Sequence, residues 1–134
     1  MICLVCEPRY LRIEEPINSF HREWASDPPN AALATEQHAG LVAALERLGV
    51  EVLKVPPLEQ APYQVFTRDV LIGGLGAPIV ADLRESIRRP ELEALRPALD
   101  DAGIVHVESA RGHLEGGHVV ASGDARCVGV GDRT

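Results

Sequence analysis

The sequence has no apolar run of the length that a membrane helix needs. Its apolar start, residues 1–6, is far shorter than the roughly 20 residues of such a helix. This start also has neither the basic flank nor the cleavage site of a signal peptide. We therefore expect no membrane partner.

Cysteine is scarce, and negative charge exceeds positive charge. Three cysteines in no framework spacing do not indicate a disulfide scaffold; they fit a reducing compartment, and the cytoplasm is the predicted location. The net charge of −7 argues against a nucleic acid as the main partner and is compatible with a cationic ligand. The glycine-rich segment 73–76 is not followed by a suitably spaced helix start, so no nucleotide-binding loop is predicted.

What the sequence does contain suits one globular domain. Its 134 residues, 46% hydrophobic and 25% charged, can bury a core. Apolar runs between turn residues predict strands at 2–6, 50–55, 65–73, 77–81, 104–107, 114–122 and 126–130. Helical spacing predicts helices over about 31–48 and from near 89 to 102, while residues 9–30 show no periodicity. The predicted apolar faces consist of Leu33, Leu41, Val42, Leu45 and Leu48 on the first helix, and Leu92, Leu95, Ala98 and Leu99 on the second.

A repeat runs through this order. Gly49 and Gly103, 54 residues apart, are each predicted to end a helix and are each followed by an apolar strand, a loop and a strand with an acid near its start. We interpret this as stacked ββαβ units. A third unit stops after its strands, without a helix to cover them, so residues 1–134 are predicted to form an incomplete α/β fold of about two and a half units.

Two short segments carry the candidate chemistry, Phe66-Thr67-Arg68-Asp69 and Leu114-Glu115-Gly116-Gly117-His118. Each would place an acid at the mouth of a strand, and the glycines let backbone approach closely. A guanidinium presents its N–H donors in a fixed fork that a carboxylate accepts in pairs, and two carboxylates can hold it from two sides. From spacing alone, the alternative is that both acids are solvated at loop ends.

These segments resemble the Phe-x-x-Asp and Glu-Gly-Gly-Asp signatures of the guanidine-modifying amidinohydrolases and amidinotransferases. That superfamily includes arginine deiminases, dimethylarginine dimethylaminohydrolases and glycine amidinotransferases, which share the pentein α/β-propeller fold. Further segments resemble the family and occur in the family's order along the chain. They lie at 6–13, 17–18, 88–91 and 131–134. The resemblance implies that residues 1–134 are the N-terminal part of a pentein α/β-propeller.

The resemblance also implies roles by position. Asp69 and Glu115 would be the catalytic carboxylates that grip the substrate guanidinium and make its carbon more open to attack. Phe66 would line the pocket beside it. Arg89 and Arg133 would bind a substrate carboxylate as bidentate cations.

Three further positions bear on the substrate. Asn18 would either bond the substrate or cap the opening loop. Where many members have Pro-Asp ahead of the first signature, this chain has Pro62-Tyr63, which weakens the expectation that a substrate α-amino group is recognised. Where the second signature ends in Asp, this chain has His118, so the loop geometry is expected to differ.

The family's reaction needs two residues that the resemblance does not place in this sequence. A cysteine thiolate attacks the guanidinium carbon and a histidine protonates the departing amine, and no cofactor is expected. In family order both follow Glu115, in a C-terminal half. We therefore expect an isolated chain that is inactive, the N-terminal half of an enzyme that hydrolyses or transfers from the C–N bond of an arginine-like guanidine. The alternative is a non-enzymatic, degenerate module that binds an arginine-like ligand or pairs as a homodimer.

The cysteines and histidines allow other readings. Cys3 and Cys6 form a Cys-x-x-Cys, but strand residues three apart point to opposite faces, so a redox pair is not predicted. These two cysteines and Cys127 are expected in the apolar core. His113, Glu115 and His118 could be read as a metal cluster, but their spacing is not a standard ligand pattern and no metal is predicted.

Overall fold

The computed structural model describes residues 1–24, 26–74, 76–109, 112–122 and 125–131. The helices are α1 (Ser19–Trp24), α2 (Ala31–Arg47) and α3 (Glu91–Asp101). The strands are β1 (Ile2–Cys6), β2 (Glu51–Val55), β3 (Leu71–Ile72), β4 (Ile79–Val80), β5 (Val107–Glu108), β6 (Val119–Ser122) and β7 (Ala125–Val128). The first, second and third 3-10 turns are Thr67–Asp69, Ser86–Arg88 and Gly116–His118. Within these ranges, no helix is both long and apolar enough to span a bilayer.

Helix α2 connects two parallel strands. β1 and β2 pair in parallel over their full length, and parallel neighbours need a crossover connection, which contains α2. The Asn30 side chain caps the start of α2 by accepting a hydrogen bond from the Leu33 N–H at 3.0 Å. Gly49 ends α2 with a left-handed φ of 74°, and Gly103 ends α3 with a φ of 67°, so both predicted caps are confirmed.

The predicted apolar face of α2 is confirmed only in part. Val42 is buried and Leu45 is half-buried, whereas Leu33, Leu41 and Leu48 are exposed. At about 100° per residue, Leu33 lies on the opposite side of the helix from Val42, so the two side chains cannot both face β2.

Helix α3 covers the core. Its Leu92, Leu95 and Leu99 are buried, as predicted. Together with Ala94 of the same helix, they form one apolar cluster with residues from the strands and the segments beside them: Cys6, Val55, Val70, Val80, Ala81 and Leu83. This packing fixes the position of Glu91, the first residue of α3, which is buried and pairs with Arg88.

The strands predicted at 65–73 and 114–122 are only partly formed. β3 pairs antiparallel with β4, β4 pairs parallel with β5, and β6 pairs antiparallel with β7. Ahead of β3 and β6, the first and third 3-10 turns replace the predicted strand residues. In the first turn the Asp69 N–H donates to the Phe66 carbonyl at 3.1 Å, a local bond that overrides the strand preference of the surrounding apolar residues.

Helix α1 forms where the sequence shows no periodicity. The Asn18 side chain caps it by accepting a hydrogen bond from the His21 N–H at 2.8 Å, the capping role that was one of the two predicted for Asn18. A helix of six residues is too short to reveal a 3.6-residue period in the sequence.

The first and third 3-10 turns pack directly on each other. A side chain at Gly116 would overlap the carbonyl oxygen of Arg68 and would come within 3.2 Å of the Leu71 carbonyl. The Thr67 hydroxyl donates to the Leu4 carbonyl at 2.9 Å and so ties the first turn to β1. The two segments predicted to carry the chemistry are therefore neighbours, and glycine is what allows the close approach.

The cysteines occupy three different environments, and none is in a disulfide. Cys6 is buried in the core as predicted, and Cys3 is half-buried. The prediction for Cys127 is wrong, because this residue is exposed on β7. Burial, with the charges of Glu91 and Glu7 adding to it, raises the pKa of Cys6 to about 12.

We predict that Gly116→Ala lowers the free energy of unfolding by about 1–3 kcal/mol or more, because the new methyl group overlaps backbone. Gly40→Ala is the matched control. Gly40 lies inside α2, and beyond its chain neighbours and the backbone of its own helix nothing lies within 4 Å of an added Cβ, so alanine there should raise stability by up to about 1 kcal/mol. Urea unfolding of both variants tests this, and equal effects would contradict the packing of the two turns.

We predict that iodoacetamide at pH 8 labels Cys127 first and leaves Cys6 unlabelled in the folded chain. The folded Cys6 thiol ionises near pH 12 and the unfolded one near its ordinary pKa of 9.0. Folding thus favours the protonated thiol, and this contribution to stability is present below about pH 9 and is lost as the pH rises towards 12. Mass spectrometry of digested, labelled protein reads out each site; early labelling of Cys6 would contradict its burial.

Candidate functional site

A cavity of about 170 Å³ lies against the first 3-10 turn. Its lining consists of Ile17, Asn18, Phe20, His21, Trp24, Phe66, Asp69 and Arg88. Phe66 and Asp69 both face it, because residues three apart around a 3-10 turn lie on the same side, whereas on the predicted strand they would have pointed to opposite faces. The structure therefore brings three of the predicted site residues, Asn18, Phe66 and Asp69, to one cavity.

A buried guanidinium holds the Asp69 carboxylate in place. Arg88 is 1% exposed, and its Nη1 donates to Asp69 Oδ2 at 2.6 Å. On its other side, Arg88 Nε and Nη2 donate to the two oxygens of Glu91 at 2.7 and 2.8 Å, a bidentate pair. Nη2 also donates to the Phe66 carbonyl at 3.3 Å. Arg88 thus links the start of α3 to Asp69 in the first turn and to Phe66, which precedes that turn.

The charges of this cluster favour a cationic ligand. Burial by itself would lower the pKa of Arg88, but the hydrogen bonds and charges of Glu91 and Asp69 raise it above its ordinary value. Burial raises the pKa of Glu91 and the Arg88 cation opposes that rise. Both Glu91 oxygens accept from a permanent cation, so the ionised carboxylate is the form that fits this geometry. Two carboxylates share one guanidinium, which leaves an excess of negative charge beside the cavity.

Glu115 lies next to this cluster but does not line the cavity. It is fully buried at 0% exposure, whereas the Asp69 side chain is 21% exposed. Burial is the main cause of the raised pKa of Glu91, and the charges of Asp69 and Glu115 add to it, so the three carboxylates are near one another. Gly117 is so close that a side chain there would come within 2.5 Å of Asp69 Oδ1.

Of the two arginines predicted to bind a carboxylate, Arg89 does not line the cavity. Arg89 is exposed, and its guanidinium donates to the carbonyls of Leu83 and Arg84 at 3.2 and 3.4 Å. Arg133 lies outside the described residues. For both residues a contact with substrate stays a prediction.

Aromatic rings form one side of the cavity. We call Phe20, His21, Trp24 and Phe66 the aromatic wall. Within it, ring centroids are 6.3 Å apart for Phe20–Trp24, 6.0 Å for His21–Trp24 and 6.2 Å for His21–Phe66. Behind the wall, the buried Tyr63 ring stacks on His21 at 4.6 Å, and its hydroxyl donates to the Glu15 carbonyl at 2.7 Å.

Arg88 and the α1 side of the wall were missed by the sequence reasoning. Arg88 and Glu91 are three residues apart, a spacing that brings side chains together across a helix start and could have singled out Arg88 rather than Arg89. Phe20 and Trp24 are four apart, the spacing of one helix face, but without a predicted helix that signal had no meaning.

The described residues contain no group of three histidine, cysteine or acidic side chains that could hold a metal ion. His113, read as a possible ligand from its spacing, instead lies 3.2 Å from Asp82 at the surface.

Comparison with known proteins identifies relatives of this arrangement. The family model of eukaryotic N,N-dimethylarginine dimethylhydrolase matches residues 7–129. The uncharacterized protein YkgA of Bacillus subtilis is 31% identical over 133 residues, which are 98% of this chain and 46% of that protein. The N(G),N(G)-dimethylarginine dimethylaminohydrolase of Streptomyces coelicolor is 33% identical over 103 residues, 76% of this chain and 40% of that enzyme.

Solved structures share the fold. A cysteine-to-serine mutant of the Pseudomonas aeruginosa dimethylarginine dimethylaminohydrolase, complexed with citrulline, superposes with a TM-score of 0.81 at 26% identity, over 99% of this chain and 51% of that one. The cyanobacterial arginine dihydrolase ArgZ has a TM-score of 0.87 at 19% identity, over 99% of this chain and 21% of that one, a likeness of fold alone.

These comparisons agree with one another and with the motifs at the site. The chain spans about half the length, or less, of the curated relatives it matches. Its mixed α/β structure matches that of pentein proteins. With a family model that covers most of its residues, the chain belongs to the dimethylarginine dimethylaminohydrolase family of the pentein superfamily.

Proposed function

We propose that the chain is the guanidine-binding, N-terminal half of an enzyme that breaks a C–N bond of a guanidine. The observation that carries the proposal is the Asp69 carboxylate, which faces the cavity while the buried Arg88 holds it. A guanidinium in the cavity would donate to Asp69, whose side chain is 21% exposed. The excess negative charge of the Asp69, Glu91 and Arg88 cluster would attract the cation and keep it protonated.

Glu115 would supply negative charge from behind the first turn. It is buried beside Gly116 and Gly117, so it would contribute to the potential at the cavity without touching the ligand in this arrangement. For Glu115 to grip the guanidinium directly, the third 3-10 turn would have to expose it. We therefore assign the direct contact to Asp69 and the supporting charge to Glu115.

The nucleophile would come from another segment. None of the three cysteines, Cys3, Cys6 and Cys127, lines the cavity. Burial also keeps the Cys6 thiol protonated. We propose that a C-terminal half supplies a cysteine and a histidine. The thiolate would bond to the guanidinium carbon, the C–N bond to the amine would break as histidine protonates the nitrogen, and water would release the ureido product and the thiol. The curated relatives are about twice as long as this chain, which supports such a missing half.

A second candidate is a non-enzymatic module that pairs with itself. Val120 on β6 and Val128 on β7 are exposed on opposite faces of their two-stranded sheet, because Val128 pairs with Val119, and the following Val130 is exposed too. A C-terminal half or a second copy would have to cover both faces to bury these side chains. Sedimentation distinguishes the two, since a stable homodimer that excludes an added C-terminal half would favour the module.

We predict that Asp69→Asn weakens guanidine binding by roughly ten- to hundredfold, because one charged hydrogen-bond acceptor contributes about 1.5–3 kcal/mol. Trp24, the one tryptophan of the sequence, lines the cavity, so its fluorescence reports binding. Asp101→Asn, at the exposed end of α3, is the matched control and should bind as the unaltered chain does. Equal affinities for both variants would refute the role of Asp69.

We predict that the chain alone releases no amine from any guanidine, and that co-expression with the C-terminal half of YkgA, the 31%-identical relative, restores amine release. The physical reason is that none of the three cysteines lines the Asp69 cavity. Amine and ureido product are measured on a panel of guanidines. A folded complex that is inactive on the whole panel, although it binds guanidines, would contradict the enzymatic proposal.

A further inference from the structure

Tyr63 lies behind the cavity and is not part of its lining. It is 0% exposed, and a buried phenol needs a hydrogen-bond partner for its hydroxyl. That partner is main chain ahead of α1, because the hydroxyl donates to the Glu15 carbonyl at 2.7 Å and accepts from the Glu14 N–H at 3.4 Å. These bonds tie the segment that leads into α1 to the segment that leads into the first 3-10 turn.

The ring of Tyr63 makes a second link, to α1 itself. It stacks on His21 with ring centroids 4.6 Å apart, closer than the three pairs measured within the aromatic wall. His21 is the buried residue of α1, at 3% exposure, whereas Phe20 and Trp24 are 62% and 45% exposed. His21 therefore anchors α1, and Tyr63 is the ring on which it stacks most closely.

Helix α1 depends on such contacts for its position. Isolated helices shorter than about 12–15 residues are marginal in water, and α1 has six residues. The Asn18 cap is a local bond, so it sets where α1 begins and not where the helix lies in the fold. Phe20 and Trp24 of α1 line the cavity. The places of these two rings in the cavity therefore follow from the contacts that hold α1.

The Asp69 carboxylate, on the same cavity, has a separate support. Arg88 donates to Asp69 at 2.6 Å and is itself bound by Glu91 of α3. These bonds involve neither Tyr63 nor α1. A change at Tyr63 is therefore expected to displace the aromatic rings of α1 and to leave the carboxylate in place.

We propose that Tyr63 is a positioning residue of the cavity. It holds α1 in place through its hydroxyl, bound to main chain ahead of the helix, and through its stack on His21. The two exposed rings of α1, Phe20 and Trp24, are thereby kept beside Asp69. This inference rests on the proposed function for the nature of the ligand, and it adds a residue that shapes the site without touching the ligand.

Tyr63→Phe in the intact chain without ligand tests the hold on α1, because it keeps the stacked ring and removes the hydroxyl. We expect amide hydrogen exchange at Arg22, whose N–H donates to the Asn18 carbonyl, to become about three- to tenfold faster. Acrylamide should also quench Trp24 more strongly. Tyr10→Phe, at the other tyrosine of the sequence and outside the cavity lining, is the matched control and should change neither. Unchanged exchange and quenching in Tyr63→Phe would overturn the inference, whether or not a guanidine binds.

A double-mutant cycle separates positioning from a general loss of stability. We expect Tyr63→Phe to weaken arginine binding, followed by Trp24 fluorescence, by about three- to tenfold. With Phe20→Ala the combined effect should be smaller than the product of the single effects, since both act on the wall, whereas with Asp69→Asn the single effects should multiply. Effects that multiply in both pairs would overturn the inference and leave the proposed function standing. If the unaltered chain binds no arginine, the proposed function loses its support, and exchange at Arg22 decides the inference.

Discussion

The buried guanidinium of Arg88 is the interaction on which the site depends. Arg88 precedes α3, and its bidentate bond to Glu91 anchors it to the helix that covers the core. Its remaining bonds reach Asp69 and the Phe66 carbonyl, so the position of the core helix determines where the cavity carboxylate lies. Removing Glu91 alone would leave a buried cation short of a partner, a costly state, which explains why burial of so polar a group is tolerated only as a complete cluster.

The close packing of two 3-10 turns is the second constraint. Gly116 lies against the backbone of the first turn, and Gly117 lies against the Asp69 carboxylate. This approach buries Glu115 next to the Arg88 cluster rather than at the cavity surface. The same glycines that a sequence motif marks as functional therefore act through backbone distance, and they decide which acid faces the cavity.

Membership of the dimethylarginine dimethylaminohydrolase family and the shape of the cavity bear on different questions. Family membership bears on the type of reaction, which is guanidine C–N chemistry. The chain spans about half the length of the curated relatives. The shape and lining of the cavity bear on which ligand this part of the protein can hold. Its lining places the Asp69 carboxylate beside the aromatic wall, and Tyr63 braces that wall by stacking on His21.

Local signals in the sequence determined the caps at Gly49 and Gly103, the buried face of α3 and the two acidic motifs, because each depends on neighbours within a few residues. Tertiary structure decided the rest. Strand preference at 65–73 gave way to a 3-10 turn packed against Gly116, and that change put Phe66 and Asp69 on one side. The choice between Arg88 and Arg89 could not be read from adjacent identical residues. It depends on which guanidinium points at Asp69, 19 residues away in the chain, and only long-range packing sets that direction.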